Sequence, residues 1–113
     1  MNLVLLDESK KRKQQLETLL QERGYAVKAC SGSNEFIDLI EKAKPDRVLI
    51  DFEAWKHGRA IYSYFKIAKR IEHIPITFYN APEKFAGIPE RLQNQNDKII
   101  KRQTSVEAIV SAL

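Results

Sequence analysis

Five short apolar runs recur along this chain, and a stretch of helical periodicity follows nearly every one. That alternation constrains the fold more than any other feature. The runs are NLVLL at 2–6, YAVKAC at 25–30, RVLID at 47–51, IPITFY at 74–79 and KII at 98–100. Runs that are apolar throughout, rather than alternating, suit strands buried on both faces. YAVKAC is more mixed and predicts a strand nearer an edge. Pro75 is tolerable as the first residue of its strand.

The intervening segments carry helix punctuation. Ser9 can cap a helix running to about Arg23, with Leu16, Leu19 and Leu20 at helical spacing and Gly24 as its stop. A second helix is predicted from about Asn34 to Lys44, with a broad apolar stripe from Phe36 to Ala43. Lys44-Pro45-Asp46 then breaks it. A short mixed loop is predicted after Asp51, and a third helix from about Arg59 to Arg70. Gly87 and Pro89 interrupt the segment after the fourth run, leaving two short pieces at most. Thr104-Ser-Val-Glu107 reads as a capping box, with the Thr hydroxyl accepting from a backbone N–H and Glu107 reaching back. The last helix would run from Ser105 to Leu113 without a stop signal, so the native protein is expected to continue.

A βα unit repeated five times implies a parallel sheet covered by helices on both faces, with right-handed crossovers. At 113 residues this is one domain, 1–113, large enough to bury a core without a staple. The lone Cys30 stands among apolar residues and is expected to be a small buried side chain in a reducing compartment. No apolar run is long enough to span a membrane, and the start lacks a signal-peptide pattern; the expectation is a cytoplasmic protein. Residues 1–54 hold nine Lys/Arg and ten Asp/Glu, whereas residues 55–113 hold ten and five. The excess of base is scattered between apolar residues, as on a solvated helix face, so nucleic-acid binding is not expected. Lys10–Lys13, KKRK, opens the first helix where positive charge is unfavourable. It reads as a solvated face, or as a dock for an acidic partner. His57 and His73 lack ligand spacing to each other or to Cys30, so zinc is not expected. Trp55, near the third helix, suits either a partner contact or burial.

Parallel α/β sheets place their sites at the carboxyl ends of the strands. There the order puts Asp7 and Glu8, Asp51, Asn80 and Lys101. Clustered carboxylates repel one another and are stable together only with a cation. A hard oxygen-ligand site with open water positions suits Mg²⁺. Such an ion and a lysine would neutralise an arriving phosphoryl group, most of what its transfer requires. Asp51 would be the nucleophile, and Asn80 could donate to a phosphoryl oxygen. Each residue also has a plain role: Asp51 as a loop starter, Asp7 and Glu8 at a helix N-terminus, Asn80 in a turn and Lys101 as a solvated charge.

Four pieces in this order, LVLLDES, KPDRVLID, IPITFYNA and KIIKRQTS, resemble the response-regulator receiver domain of two-component signalling along the whole chain. The resemblance implies a flavodoxin-like sheet of strand order 2-1-3-4-5. It also implies metal-binding acids at Asp7, Glu8 and Asp51, a phosphoacceptor at Asp51, a metal-facing backbone carbonyl at Glu53 and a phosphate-contacting lysine at Lys101. A histidine kinase or phosphotransfer protein would be the donor and a downstream protein or output domain the reader. The chain would be no enzyme beyond self-catalysed phosphoryl transfer. Departures stand beside these matches. Asn80 replaces the usual Ser or Thr, Lys98 the strand-five aromatic residue, and Arg102 the proline that follows the lysine in a cis peptide. The loop after Asp51 lacks Met-Pro and is about one residue short before Gly58. A non-proline cis bond costs roughly 2.5–4 kcal/mol, so a trans bond is expected at Lys101–Arg102.

Two functions follow from this balance: a working, Mg²⁺-dependent receiver with an atypical switch, or a pseudo-receiver acting as a phosphorylation-independent interaction module. A phosphatase is less well supported, because Asp51 and Glu53 imitate the spaced acid pair only loosely. A nucleotide or flavin site lacks any glycine-rich phosphate loop.

Overall fold

A computed structural model describes residues 1–57, 74–82, 98–101 and 104–113. Within them run β1 (Asn2–Leu6), α1 (Lys10–Glu22), β2 (Ala26–Cys30), α2 (Ser33–Ala43), β3 (Arg47–Asp51), α3 (Phe52–His57), β4 (Ile76–Ala81), β5 (Lys98–Lys101) and α4 (Val106–Ser111). The strands form one parallel sheet in the order β2-β1-β3-β4-β5. The chain therefore reverses direction across the sheet between β1 and β3, opening a crevice at their carboxyl ends.

The period of two along each strand sorts the core into two layers. Val4, Leu6, Val48, Ile50, Ile76 and Phe78 face α2, where Phe36 and Ile40 meet them. Leu3, Leu5, Leu49 and Tyr79 face the other way, against Leu16 and Leu20 of α1 and Ile109 and Val110 of α4. Both sides of β1 and β3 are thus covered, which is why these strands are apolar throughout. Cys30 is buried, as expected, and burial pushes its thiol up to about 12. No helix among the described residues is long and apolar enough to cross a membrane.

The helix punctuation holds at α1: the Ser9 hydroxyl accepts from the Arg12 N–H, and Gly24 takes a positive φ of 91° just past the end. Elsewhere the structure corrects the reading. Residues 52–57 are helical, not a loop. Phe52 and Ala54 are buried, Glu53 lies in the first turn where an acid is favoured, and an Asp51 carboxylate oxygen accepts from the Glu53 N–H at 3.3 Å. β4 starts and ends two residues later than predicted, so Asn80 and Ala81 lie within it; Lys101 likewise belongs to β5. At α4 the cap is Ser105, whose hydroxyl accepts from the Ala108 N–H, while Thr104 donates to the Lys101 carbonyl. Glu107 then sits one position too early for a capping box, and the helix stops at Ser111 rather than at Leu113. The helix predicted at 59–70, the pieces around Gly87 and Pro89, the Lys101–Arg102 bond and the side chains of Trp55 and His57 lie outside the described residues.

Candidate functional site

Asp7 follows β1 and Asp51 ends β3, so the crevice between these neighbouring strands receives both carboxylates. They are almost sealed from solvent, at 0% and 1% exposure. Two unpaired charges cannot be held there cheaply. Arg12, in the first turn of α1, supplies the compensation. Its Nε donates to Asp7 Oδ2 at 2.6 Å and its Nη2 to Asp7 Oδ1 at 2.9 Å, a two-pronged grip. The same Nη2 stands 3.1 Å from Asp51 Oδ2. One planar guanidinium therefore bridges acids from two strands, a task its fork of donors suits.

Other donors complete the pocket. Tyr79, from β4, is wholly buried and its hydroxyl donates to Asp7 Oδ2 at 2.6 Å, while the guanidinium lies 5.7 Å from its ring centroid. The Ser9 N–H donates to Asp7 Oδ1 at 2.7 Å. Asn80 Nδ2 and the Glu53 N–H both donate to Asp51 Oδ1, at 3.1 and 3.3 Å. Asn80 reaches Asp51 from a left-handed φ of 59°, at an irregularity where β4 carries one residue more than β5 between Phe78 and Ala81.

The electrostatics follow from this arrangement. The hydrogen bond to Asp7 holds Arg12 even more firmly protonated than usual, against the cost of its burial. Burial pushes Asp51 above its ordinary value despite the opposing hydrogen bond from Asn80. Burial, reinforced by Asp7, pushes the Tyr79 phenol well above its own.

No protein-family model matches the chain, and no curated protein matches it in sequence. Solved structures do match in shape. A chemotaxis response regulator of Vibrio cholerae superposes with a TM-score of 0.78 at 16% identity, over 98% of this chain and 93% of that one. This chain has the receiver fold. A response regulator receiver modulated diguanylate cyclase from Pelobacter carbinolicus gives 0.71 at 16%, over 98% and 86%. NtrX from Brucella abortus, solved with ADP, gives 0.75 at 13% over 98% of this chain, which spans only 24% of that one.

Against the receiver pattern, the predicted site residues divide. Asp7, Asp51 and Asn80 come together, with the Glu53 backbone beside them. Glu8 does not join them: it is exposed, as is Lys101, and no hydrogen bond or ion pair joins the Lys101 side chain to Asp51. Among the described residues no three His, Cys, Asp or Glu side chains are grouped so as to hold a metal ion.

A carboxylate offers about four lone-pair sites. Asp7 already meets four donors and Asp51 three. Magnesium demands near-ideal octahedral oxygen coordination with several waters. The residues present do not fit such an ion, because a guanidinium and its companions already take the oxygens that would ligate it. Arg12 is the residue the sequence reading missed. KKRK suits a solvated face or a dock for an acidic partner, yet its third member turns inward, whereas Lys10 and Lys11 are exposed and Lys13 bonds Ser31 Oγ. The sequence marks Tyr79 only as part of a strand.

Proposed function

We propose that this chain is a receiver-fold signalling module that works without phosphorylation: a non-enzymatic interaction domain whose acidic pocket is locked by its own arginine. The observation that carries this reading is the Arg12 bridge between Asp7 and Asp51. Phosphoryl transfer to Asp51 would need a free carboxylate oxygen and a cation able to meet the incoming phosphate. Opening the pocket means stripping a guanidinium from two buried carboxylates. Breaking a fully buried pair costs about 3–5 kcal/mol; the partial exposure of Arg12 lowers this to about 2–3 kcal/mol, which at 1.4 kcal/mol per decade would weaken any competing ligand by roughly one and a half to two orders of magnitude. The exposure of Lys101 supports the same reading. The partner would be a downstream protein or an output domain that recognises one constitutive surface.

The alternative, a working receiver fed by a histidine kinase or phosphotransfer protein, draws on one observation: Asp51 stands at its strand tip with Asn80 directed at it. The test is incubation with a small phosphodonor, or with beryllofluoride, in excess Mg²⁺, followed by intact-mass and fluorine spectroscopy. The expected result is no adduct. An adduct present in the intact chain and absent from Asp51→Asn would establish the alternative.

A further inference from the structure

We infer that Arg12 is the resident cation of this pocket, standing in for a divalent ion, so that deleting this one side chain turns Asp7 and Asp51 into a divalent-cation site that the intact chain does not offer. The inference deepens the locked-pocket reading above and rests on it.

Three features carry it. First, both ion pairs that join the described residues are made by Arg12, one to each acid. Its charge stands between carboxylates from two strands. Second, removal would free oxygens without dismantling their support. Asp7 would keep the Ser9 N–H and the Tyr79 hydroxyl, and Asp51 would keep the Asn80 amide and the Glu53 N–H. Each carboxylate would then have about two lone pairs to offer. Third, the Arg12 side chain is 29% exposed. Truncating it opens a route to water rather than leaving a sealed void, and a hydrated cation can follow that route. The cap of α1 is made by the Arg12 backbone N–H to Ser9 Oγ, so it survives the truncation. Two buried like charges without a cation repel one another, and that repulsion is what a metal would relieve.

The experiment uses the full chain as wild type, Arg12→Ala, Arg12→Gln and Arg12→Ala/Asp51→Asn. Manganese binding is followed by loss of the free-ion paramagnetic resonance signal, and thermal unfolding is followed with and without Mg²⁺. Arg12→Ala should bind Mn²⁺ at least tenfold more tightly than wild type, and Mg²⁺ should raise its melting temperature while leaving that of wild type unmoved. Adding Asp51→Asn should abolish both gains. Should Arg12→Ala not fold, Arg12→Gln, which keeps most of the stem, carries the same expectation. Wild type binding Mn²⁺ as tightly as the folded variants overturns the inference. So does a folded variant that gains nothing, or a wild-type affinity already below a millimolar should neither variant fold. A failure of cation gain leaves the phosphate-independent reading standing, because the phosphodonor experiment on the intact chain decides that separately.

Discussion

Replacing Arg12 with Met keeps most of the stem and deletes the charge, leaving two buried carboxylates without their shared cation. Breaking a fully buried pair in this way costs about 3–5 kcal/mol. Three features lower that figure. The Arg12 side chain is 29% exposed, so part of its attraction is screened. Asp51 already holds its proton more readily than an ordinary carboxylate, because it is buried, and can take one up rather than stay stranded. Asp7 also retains two donors. The expected loss at pH 7 is therefore about 2–3 kcal/mol, or roughly 8–12 °C in melting temperature for a domain of this size. Urea unfolding gives the free energy, and the pH dependence gives the signature. Below the ordinary carboxylate range, at about pH 3.5, the difference from wild type should shrink as Asp51 takes up its proton. In an Asp7→Asn/Asp51→Asn background the same substitution should cost less than about 1 kcal/mol, since no charge is stranded. A loss under about 0.5 kcal/mol at pH 7, or an equal loss in the neutralised background, would refute the reasoning.

Other expectations follow from the same pocket. Burial raises the folded pKa of Asp51 above its unfolded value of 3.8, so the folded state holds that proton more tightly. Stability from this group therefore falls as pH climbs through the interval above 3.8, and Asp51→Asn should flatten the decline in urea midpoints measured between pH 3.5 and 7. Tyr79→Phe keeps the ring and deletes the buried hydroxyl donated to Asp7. It should cost about 1.5–3 kcal/mol in urea unfolding, the range for a hydrogen bond to a charged group; a neutral result would mean that the contact is energetically idle. Cys30 is buried with its thiol pushed up to about 12. A disulfide reagent at pH 8 should therefore leave the folded chain unmodified and label one thiol per chain in denaturant.

The strands were legible because their signal is local. A run such as Val48-Leu49-Ile50 is apolar because both faces of the sheet are covered there, and that shows in a window of five residues. The ends of α1 were legible for the same reason, through Ser9 and Gly24. The site was only half legible. Asp7 and Glu8 are adjacent, and successive residues leaving a strand point to opposite sides, so the pair delivers one acid inward and leaves the other exposed. Arg12 was hidden within a basic run, where composition cannot distinguish one cation from its neighbours. The clue lay in position: Arg12 is the third residue of a helix capped by Ser9, and helical side chains lean toward the N-terminus. That lean carries the guanidinium back over the end of β1. The Asp51–Glu53 contact was missed because the six-residue α3 has no helical period long enough to register.

Asn80 has a consequence for anyone trying to convert this domain into a working switch. Threonine cannot simply be written in at this position. The position has the mirror-handed backbone that asparagine tolerates and a branched side chain resists, and it stands where β4 carries an unmatched residue against β5. A threonine there would bring a backbone cost together with the loss of the amide that donates to Asp51, so the two faults would add in a single substitution.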